Sequence, residues 1–343
     1  MTDNEAVALS LIPTLPRVCL TERLRNADPV LLEQARERLN DACAVRRRAE
    51  ADGIGVLPWN DPRFPSALLA ISDAPPVLWY RGSLEVLRRP AVAIVGSRSA
   101  SLAALEIAEQ LARDVAARGV AVVSGLARGV DSAAHRGALG TGCTIAVLGS
   151  GVDRIYPPEH APLARDIAAN GLVVSEFPPG TAPLQFHFPM RNRLISGMSR
   201  AVVIVEASEK SGSLITAGCA LEQGREVLAV PGNVLSGRNR GSHALIRDGA
   251  KIVECADDIV EELGWYAAVP NASRATTSGE ATMTSGDSLL QLMRPGEPYD
   301  LDALAASAGV DGVRLLPRLL ELELQGHVER VEGGRFMRSA RTC

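Results

Sequence analysis

Rings are scarce in this chain. Its 343 residues hold three tryptophans, four tyrosines and five phenylalanines, so a ligand held mainly by stacking has few partners. Lysine occurs only at 210 and 251, which leaves arginine to carry almost all the positive charge. No apolar run is long and uncharged enough to span a bilayer, which excludes membrane insertion by a helix. The six cysteines (19, 43, 143, 219, 255 and 343) are far apart and form no C-x-x-C pair. That excludes a zinc ribbon and reads as buried reduced thiols in a cytosolic protein. The five histidines (135, 160, 187, 243 and 327) show no metal-ligand spacing. Neither G-x-G-x-x-G, a Walker A loop nor a G-x-S-x-G elbow is present, so dinucleotide binding, P-loop chemistry and a serine hydrolase all lack their signature. No catalytic constellation and no cofactor site is expected. The start, Met1–Thr2–Asp3–Asn4–Glu5, lacks the basic region of a secretory signal, and a cytoplasmic location follows as the expectation.

What is present is an ordinary globular composition, 46% apolar and 22% charged, over a length that suits two or three domains. The net charge of −4 does not suit a protein that coats nucleic acid nonspecifically. The cations are clustered, however. Residues 187–200 and 234–247 each carry three arginines and no acid. Local basic stretches in an acidic chain point to a confined anion site.

Residues 1–85 read as an N-terminal helical cap, with a helix begun by Asp28–Pro29, followed by the turn-rich stretch 57–65. From 86 to 265 short Val/Ile-rich runs (92–96, 120–124, 144–149, 172–175, 201–206, 227–230 and 251–253) alternate with helical segments. Most runs are apolar without alternation, as strands buried on both faces are. This predicts an α/β fold with a doubly wound, mostly parallel sheet, and a ligand at the carboxyl ends of its strands. Residues 266–286, rich in Ala, Ser, Thr and Gly, read as a flexible linker. Residues 287–343 form a last unit: helices near 289–292, 300–308 and 313–324, then a hairpin over 327–337 with a Gly–Gly turn, the pattern of a winged helix.

Several strand-to-helix turns suit phosphate, because strand ends and helix N-termini offer unpaired N–H groups. Gly96–Ser97–Arg98 ends the first run and puts an arginine at the tip. Ser124–Gly125–Leu126–Ala127–Arg128 ends the second. There Asp131 is expected to cap the helix 132–139, His135 to lie within it in a packing or surface role rather than a catalytic one, and Arg128 to meet an anion or a nearby acid. Arg191–Asn192–Arg193 stands at a predicted helix start. Lys210–Ser211–Gly212–Ser213 opens another helix, with Ser213 as its cap. Glu176 and Glu206 follow strands, where such carboxylates satisfy neighbouring N–H groups or arginines more often than they do chemistry. Two turns flanked by arginines suggest a phosphate track longer than one nucleotide.

With these motifs in order, the chain resembles the DNA-processing protein A family (DprA, also called Smf). The resemblance runs from Asp61–Pro62–Arg63–Phe64–Pro65 to about residue 262. It includes AIVGSR (93–98), SGLARGVDSAAH (124–135), LGSGVDRIYP (148–157), FHFPMRNRLISG (186–197) and KSGSLITA (210–217). The 287–338 unit resembles the winged helix of many members. The resemblance implies an extended Rossmann-like core that binds single-stranded DNA, a homodimer, protection of incoming strands in natural transformation, and help in loading the RecA recombinase, with no enzymatic turnover. By motif, Arg98 would contact the DNA backbone, with Arg191, Asn192 and Arg193 and the Lys210–Ser213 turn lining the same pocket. One departure stands out. Many relatives carry a cation after the tyrosine–proline of the third motif, whereas Tyr156–Pro157 is followed here by Pro158–Glu159, leaving Arg154 to substitute. Phe186, His187 and Phe188 are the candidates for base stacking. The third helix of the winged-helix unit, with Pro317 inside it and acids beside Arg314 and Arg318, suits protein contact or structure better than a major groove.

Two alternatives compete. A Rossmann-like nucleotide-processing enzyme, such as a cytokinin-activating phosphoribohydrolase, uses a P-G-G-x-G-T-x-x-E turn, but Cys219 stands here where the glutamate would be. A module that senses a nucleotide or bridges proteins would show no DNA affinity even at low salt.

Overall fold

In the computed structural model of the chain, every Val/Ile-rich run between 91 and 253 becomes a strand. The described residues are 1–12, 15, 19–264, 290, 292–294, 297–308, 315, 319, 322–323, 327–331 and 335–338. They fall into two units, Met1–Ala272 and Ser273–Cys343.

The first unit begins with helices α1 (Asp3–Ser10), α2 (Leu20–Arg25), α3 (Pro29–Glu37) and α4 (Leu39–Ala51). Then come β1 (Gly55–Pro58), α5 (Ser66–Leu69), β2 (Val77–Gly82) and β3 (Ala91–Val95). The doubly wound part continues through α6 (Leu102–Ala117), β4 (Ala121–Ser124), α7 (Val130–Leu139), β5 (Thr144–Val147), α8 (Ala161–Asn170) and β6 (Leu172–Ser175). It closes with α9 (His187–Gly197), β7 (Ala201–Ile204), α10 (Ser213–Glu222), β8 (Glu226–Ala229), α11 (Arg240–Arg247), β9 (Lys251–Ile252) and α12 (Ala256–Glu262). Asp28 caps α3 as its position before Pro29 predicts, its Oδ1 accepting from Val30 N at 2.9 Å and Leu31 N at 3.2 Å.

The nine strands form one sheet in the order β1-β2-β6-β5-β4-β3-β7-β8-β9. Seven are parallel; β1 and β2 join antiparallel at the β6 edge. Two strands therefore come from the segment expected to be only a cap. That stretch is proline-rich and sits before the βα alternation; β1 and β2 pair with each other, and β2 joins β6, far away in sequence. Along the parallel strands, successive residues feed opposite cores. Ala93 and Val95 of β3 pack with Val123, Ile204 and the helices α9 and α10, whereas Val92 and Ile94 pack with Val122, Val203 and the helices α6, α7 and α12. Full burial of such a side chain is worth about 1.5–3 kcal/mol, and burial on both faces is why these runs do not alternate. A third core joins α1, α3, α4 and α8 to Trp79, Ala146 and Val173.

The chain order reverses at β3. From there β4, β5 and β6 are added on one side and β7, β8 and β9 on the other. The carboxyl ends of β3 and β7 thus flank the crevice where sheets of this class bind ligands.

In the second unit, β11 (Val328–Val331) and β12 (Arg335–Arg338) form the predicted hairpin, and α13 (Leu301–Ala308) the predicted middle helix. A further strand, β10 (Pro298–Tyr299), pairs with β12. Met293, Leu304, Leu319, Leu322, Val328 and Phe336 make its core. The linker expected over 266–286 and most of the other two expected helices lie outside the described residues.

Candidate nucleic-acid interface

A cavity of about 420 Å³ opens at the switch point. Its first wall is the turn after β3. Ser97 N donates to the Glu206 carbonyl at 2.7 Å, and the Ser97 carbonyl accepts from Val130 N at 3.2 Å. The turn is thereby held between the end of β7 and the start of α7. Gly129, at φ +77°, has to be glycine, since a Cβ there would overlap the Ser97 carbonyl. The buried Glu206 carboxylate accepts from Ser101 Oγ at 2.7 Å and Ser101 N at 3.2 Å, a structural task of the kind expected of it. Arg98 is exposed, and its Cζ sits 5.4 Å from the Phe188 ring centroid, a cation–π contact that aims the guanidinium along the cavity.

The floor comes from α9. Arg191 is only 3% exposed; its Nη1 donates to the Val147 carbonyl at 2.6 Å, and its buried Nε has no hydrogen-bond partner. Burial pushes Arg191 down to about 10, Asp131 opposing the shift and Arg98 adding to it. It remains charged at neutral pH. Asn192 lies next to it, with Nδ2 3.5 Å from the Gly212 carbonyl. The third wall is the turn into α10, where Ser211 Oγ and Ser213 Oγ are 2.7 Å apart. Ser213 is the first residue of α10, not its cap; Gly212 holds the cap position. Lys210 is exposed beside this turn and does not line the cavity.

Gly96, Ser97, Arg98, Arg191, Asn192, Ser211, Gly212 and Ser213 therefore surround one space, although more than a hundred residues separate the first turn from the last. Besides Lys210, four expected site residues do not line it: Arg193, Ser124, Gly125 and Arg128. Arg193 points away from the cavity. Its Nη2 donates to buried Glu176 Oε2 at 2.6 Å, and its Nε pairs with half-buried Asp73 Oδ2 at 2.9 Å. Residues two apart on a helix lie about 200° apart around its axis, so Arg191 and Arg193 cannot face the same side. Ser124 is fully buried, and its Oγ donates to the Ile94 carbonyl at 2.7 Å. Gly125 N is already taken by Asp131 Oδ2 at 3.0 Å. Asp131 is not the helix cap: it lies within the first turn of α7, and Gly129 occupies the cap position. Its carboxylate reaches back to the 125–127 loop and lines the cavity. Sequence reasoning missed this wall, and the only signal is the six-residue step from Gly125 to Asp131.

A smaller cavity of about 40 Å³ adjoins the first and shares Arg98, Ala127, Phe188 and Arg191 with it. Gly125, Arg128, Tyr156 and Pro157 complete it. Arg128 Nε donates to Glu159 Oε1 at 2.6 Å, so the acid that stands in place of the expected cation pairs with an arginine of the rim. Arg154 lines neither cavity and lies 3.7 Å from Asp153. Arg238, from the second basic stretch, donates to the Ser99 carbonyl at 2.7 Å. Among the rings, Phe188 is half-buried in the wall, His187 is buried against Phe177 with centroids 4.1 Å apart, and Phe186 is 60% exposed.

His135 packs inside α7 as expected, fully buried, with Nδ1 2.7 Å from Thr144 Oγ1 and Nε2 facing Leu126 N at 3.3 Å. Burial, reinforced by the Arg191 charge, pushes its pKa from 6.5 down to about 3. The unfolded chain therefore takes up a proton below pH 6.5 that the folded state refuses. Stability present above that pH is lost toward pH 3, at up to about 1.4 kcal/mol per pH unit. Asp131, raised by burial, acts in the opposite sense as pH falls. Urea unfolding at pH 7 and pH 5 will show a smaller loss in His135→Asn than in the wild type; equal losses would remove His135 from the account.

Among the described residues no cluster could hold a metal ion, and no helix is long and apolar enough to cross a membrane. The family model described as DNA recombination-mediator protein A matches residues 55–264, well over half of the chain. The chain belongs to that family. Its function lies in DNA processing and recombination. A second model, the DprA winged helix domain, matches residues 273–334. Protein Smf of Escherichia coli K12 is 40% identical over 294 residues, which cover 84% of this chain and 78% of that protein. The DNA processing protein DprA of Streptococcus pneumoniae is 45% identical over 236 residues, 68% of this chain and 82% of that protein. The X-ray structure of DprA from Streptococcus pneumoniae superposes with a TM-score of 0.68 at 36% identity, over 76% of this chain and 98% of that one. A structure described as giving the single-stranded DNA binding mode of DNA processing protein A from Helicobacter pylori has a TM-score of 0.57 at 30% identity, over 62% of this chain and 96% of that one. The nucleotide-processing alternative is not favoured by these matches. Cys219 of α10, at its key position, lies outside both cavities, and burial raises its thiol pKa.

Proposed function

We propose that this chain binds single-stranded DNA through its backbone at the switch-point cavity, protects it, and helps to load a RecA recombinase during natural transformation and recombination. It does so as a cytoplasmic homodimer with no turnover of its own. The observation that carries this reading is the convergence of Arg191, a charged guanidinium in the cavity floor, with exposed Arg98 and the hydroxyl-rich Ser211–Ser213 turn. The two guanidinium charges attract an anion, and nothing in the cavity is arranged as nucleophile and base. The polar groups address phosphate rather than base edges, which suits binding that leaves sequence unread. The likeness to the Helicobacter pylori protein supports a single strand as the ligand. Gly96, Ser97, Arg98, Arg191, Asn192, Ser211, Gly212 and Ser213 are the proposed contacts. Lys210 stands at the rim, and Gly125 and Arg128 belong to the adjoining cavity. Ser124 and Arg193 drop out as contacts and become supports.

Fluorescence anisotropy with labelled single- and double-stranded oligonucleotides tests this. Binding will prefer the single strand and weaken as salt rises, with a log–log slope of about −0.7 per phosphate neutralised. Loss of a charge-assisted contact in Arg98→Ala will lower affinity by about ten- to a hundredfold. An unchanged affinity in that variant, or no affinity at low salt, would refute the site.

A further inference from the structure

Few of the chain's rings reach its surface. Among the described residues, two phenylalanine, tyrosine or tryptophan side chains are exposed: Tyr156, at 41%, and Phe186, at 60%. Phe186 meets His187 edge to face, with centroids 4.6 Å apart, and lines neither cavity. Tyr156 lines the smaller one. Its ring packs against Phe188, with centroids 5.5 Å apart and planes tilted by 38°, and Phe188 in turn carries the Arg98 guanidinium. The side chain that aims Arg98 therefore also positions Tyr156, yet much of the tyrosine stays in water. A ring so held has apolar surface left to bury against a ligand. The charges around it point the same way. Arg98 and Arg191 belong to the wall that the two cavities share. The far side of the smaller cavity holds one cation, Arg128, and Glu159 pairs with it. That side is neutral, so it offers a bound strand apolar contact rather than another phosphate site.

We propose that Tyr156 is the platform on which a nucleobase stacks while the backbone of the same nucleotide is held in the larger cavity. The inference rests on the single-stranded DNA reading above. A phosphate held by Arg98 and Arg191 leaves its sugar and base at the shared wall, where Tyr156 stands. The smaller cavity, at about 40 Å³, is far too small to enclose a base. The base therefore lies against the ring, with its other face and its hydrogen-bonding edge open to water. Held by its π-face, it is accepted whatever its identity. Stacking also explains a preference that phosphate contacts leave open. A duplex carries phosphate at a higher density than a single strand, so charge alone gives no reason to favour the strand. The bases of a duplex are stacked on one another and have no free face to lend, whereas those of a single strand do.

Two labelled strands of equal length test this: an oligothymidylate, and an abasic oligonucleotide that has the phosphates without the bases. Each is titrated by fluorescence anisotropy with the full-length protein, wild type, Tyr156→Ala and Tyr156→Phe. The wild type will bind the oligothymidylate more tightly than the abasic strand. Tyr156→Ala will lower affinity for the oligothymidylate by about five- to a hundredfold, the worth of one base–aromatic stack, and change affinity for the abasic strand by no more than about twofold. Tyr156→Phe keeps the ring and will rescue the oligothymidylate. A tyrosine that only braced Phe188 and Arg98 would weaken both strands alike when removed. Equal losses on the two strands in Tyr156→Ala therefore overturn the proposal, as does an oligothymidylate affinity that does not fall. A phenylalanine variant as weak as the alanine variant overturns it too, by assigning the hydroxyl in place of the ring. A wild type that binds the two strands equally overturns it whatever the variants do, including an alanine variant that does not fold. Failure of both strands to bind the wild type overturns the DNA reading itself, a separate result.

Discussion

Gly125→Ala will lower single-stranded DNA affinity by at least about tenfold and destabilise the fold by about 1–3 kcal/mol. The residue looks like an ordinary turn glycine, but its Cα faces the Arg191 guanidinium, and a Cβ there would overlap Nη1, Nη2 and Cζ together. Neither partner has room to yield. Gly125 N is tied to Asp131 on one side, and Arg191 Nη1 is tied to the Val147 carbonyl on the other. If the arginine moves, a buried charged donor loses its acceptor, at about 1.5–3 kcal/mol, and the proposed anion contact goes with it. If the loop moves instead, Asp131 loses its amides. Urea unfolding and anisotropy titration on the same preparation read both effects. A variant that keeps wild-type stability and affinity would mean that the guanidinium is free to relocate, and that the floor of the cavity is not as described.

Arg193→Ala will separate what the adjacent arginines do. It will destabilise the protein by about 1.5–3 kcal/mol, because it removes the ion pairs to buried Glu176 and half-buried Asp73. Glu176 sits just past β6 and Asp73 just before β2, so the lost charge unpins the junction between the N-terminal strands and the parallel sheet. At a temperature where the variant is still folded, its DNA affinity will match the wild type, since Arg193 never reaches the cavity. Arg191→Ala will show the converse emphasis, with affinity falling most. Equal affinity losses for the two would restore Arg193 to the site. Full stability of Arg193→Ala would mean that the ion pairs contribute nothing net.

The parallel part of the sheet was legible because burial on both faces leaves an unmistakable residue pattern; each run matched its strand within two residues at either end. β1 and β2 were not, since Pro58, Pro62, Pro65, Pro75 and Pro76 surround them and the strand through which β2 joins the sheet, β6, is remote. The turns carrying Arg98, Arg191 and Ser211–Ser213 were legible as motifs, and their convergence follows from strand order at the switch point. What a motif could not convey is direction. Asn192 and Arg193 read as a unit with Arg191, but helical periodicity sends Arg193 to the opposite side. Asp131 read as a cap because capping is local, whereas its actual task depends on how α7 turns back onto the loop before it.

A sheet of nine strands still has two open margins, and the ends of this one are built differently. At one margin β1 is four residues long and finishes at Pro58, which has no N–H to offer a newcomer. At the other, β9 pairs with β8 through only Lys251 and Ile252, and the lysine is tied down by Glu262. Neither margin presents a long, flat row of free peptide groups. Such brevity keeps copies of the chain from zipping together strand to strand, and it leaves self-association to side chains, where it can be chosen rather than suffered.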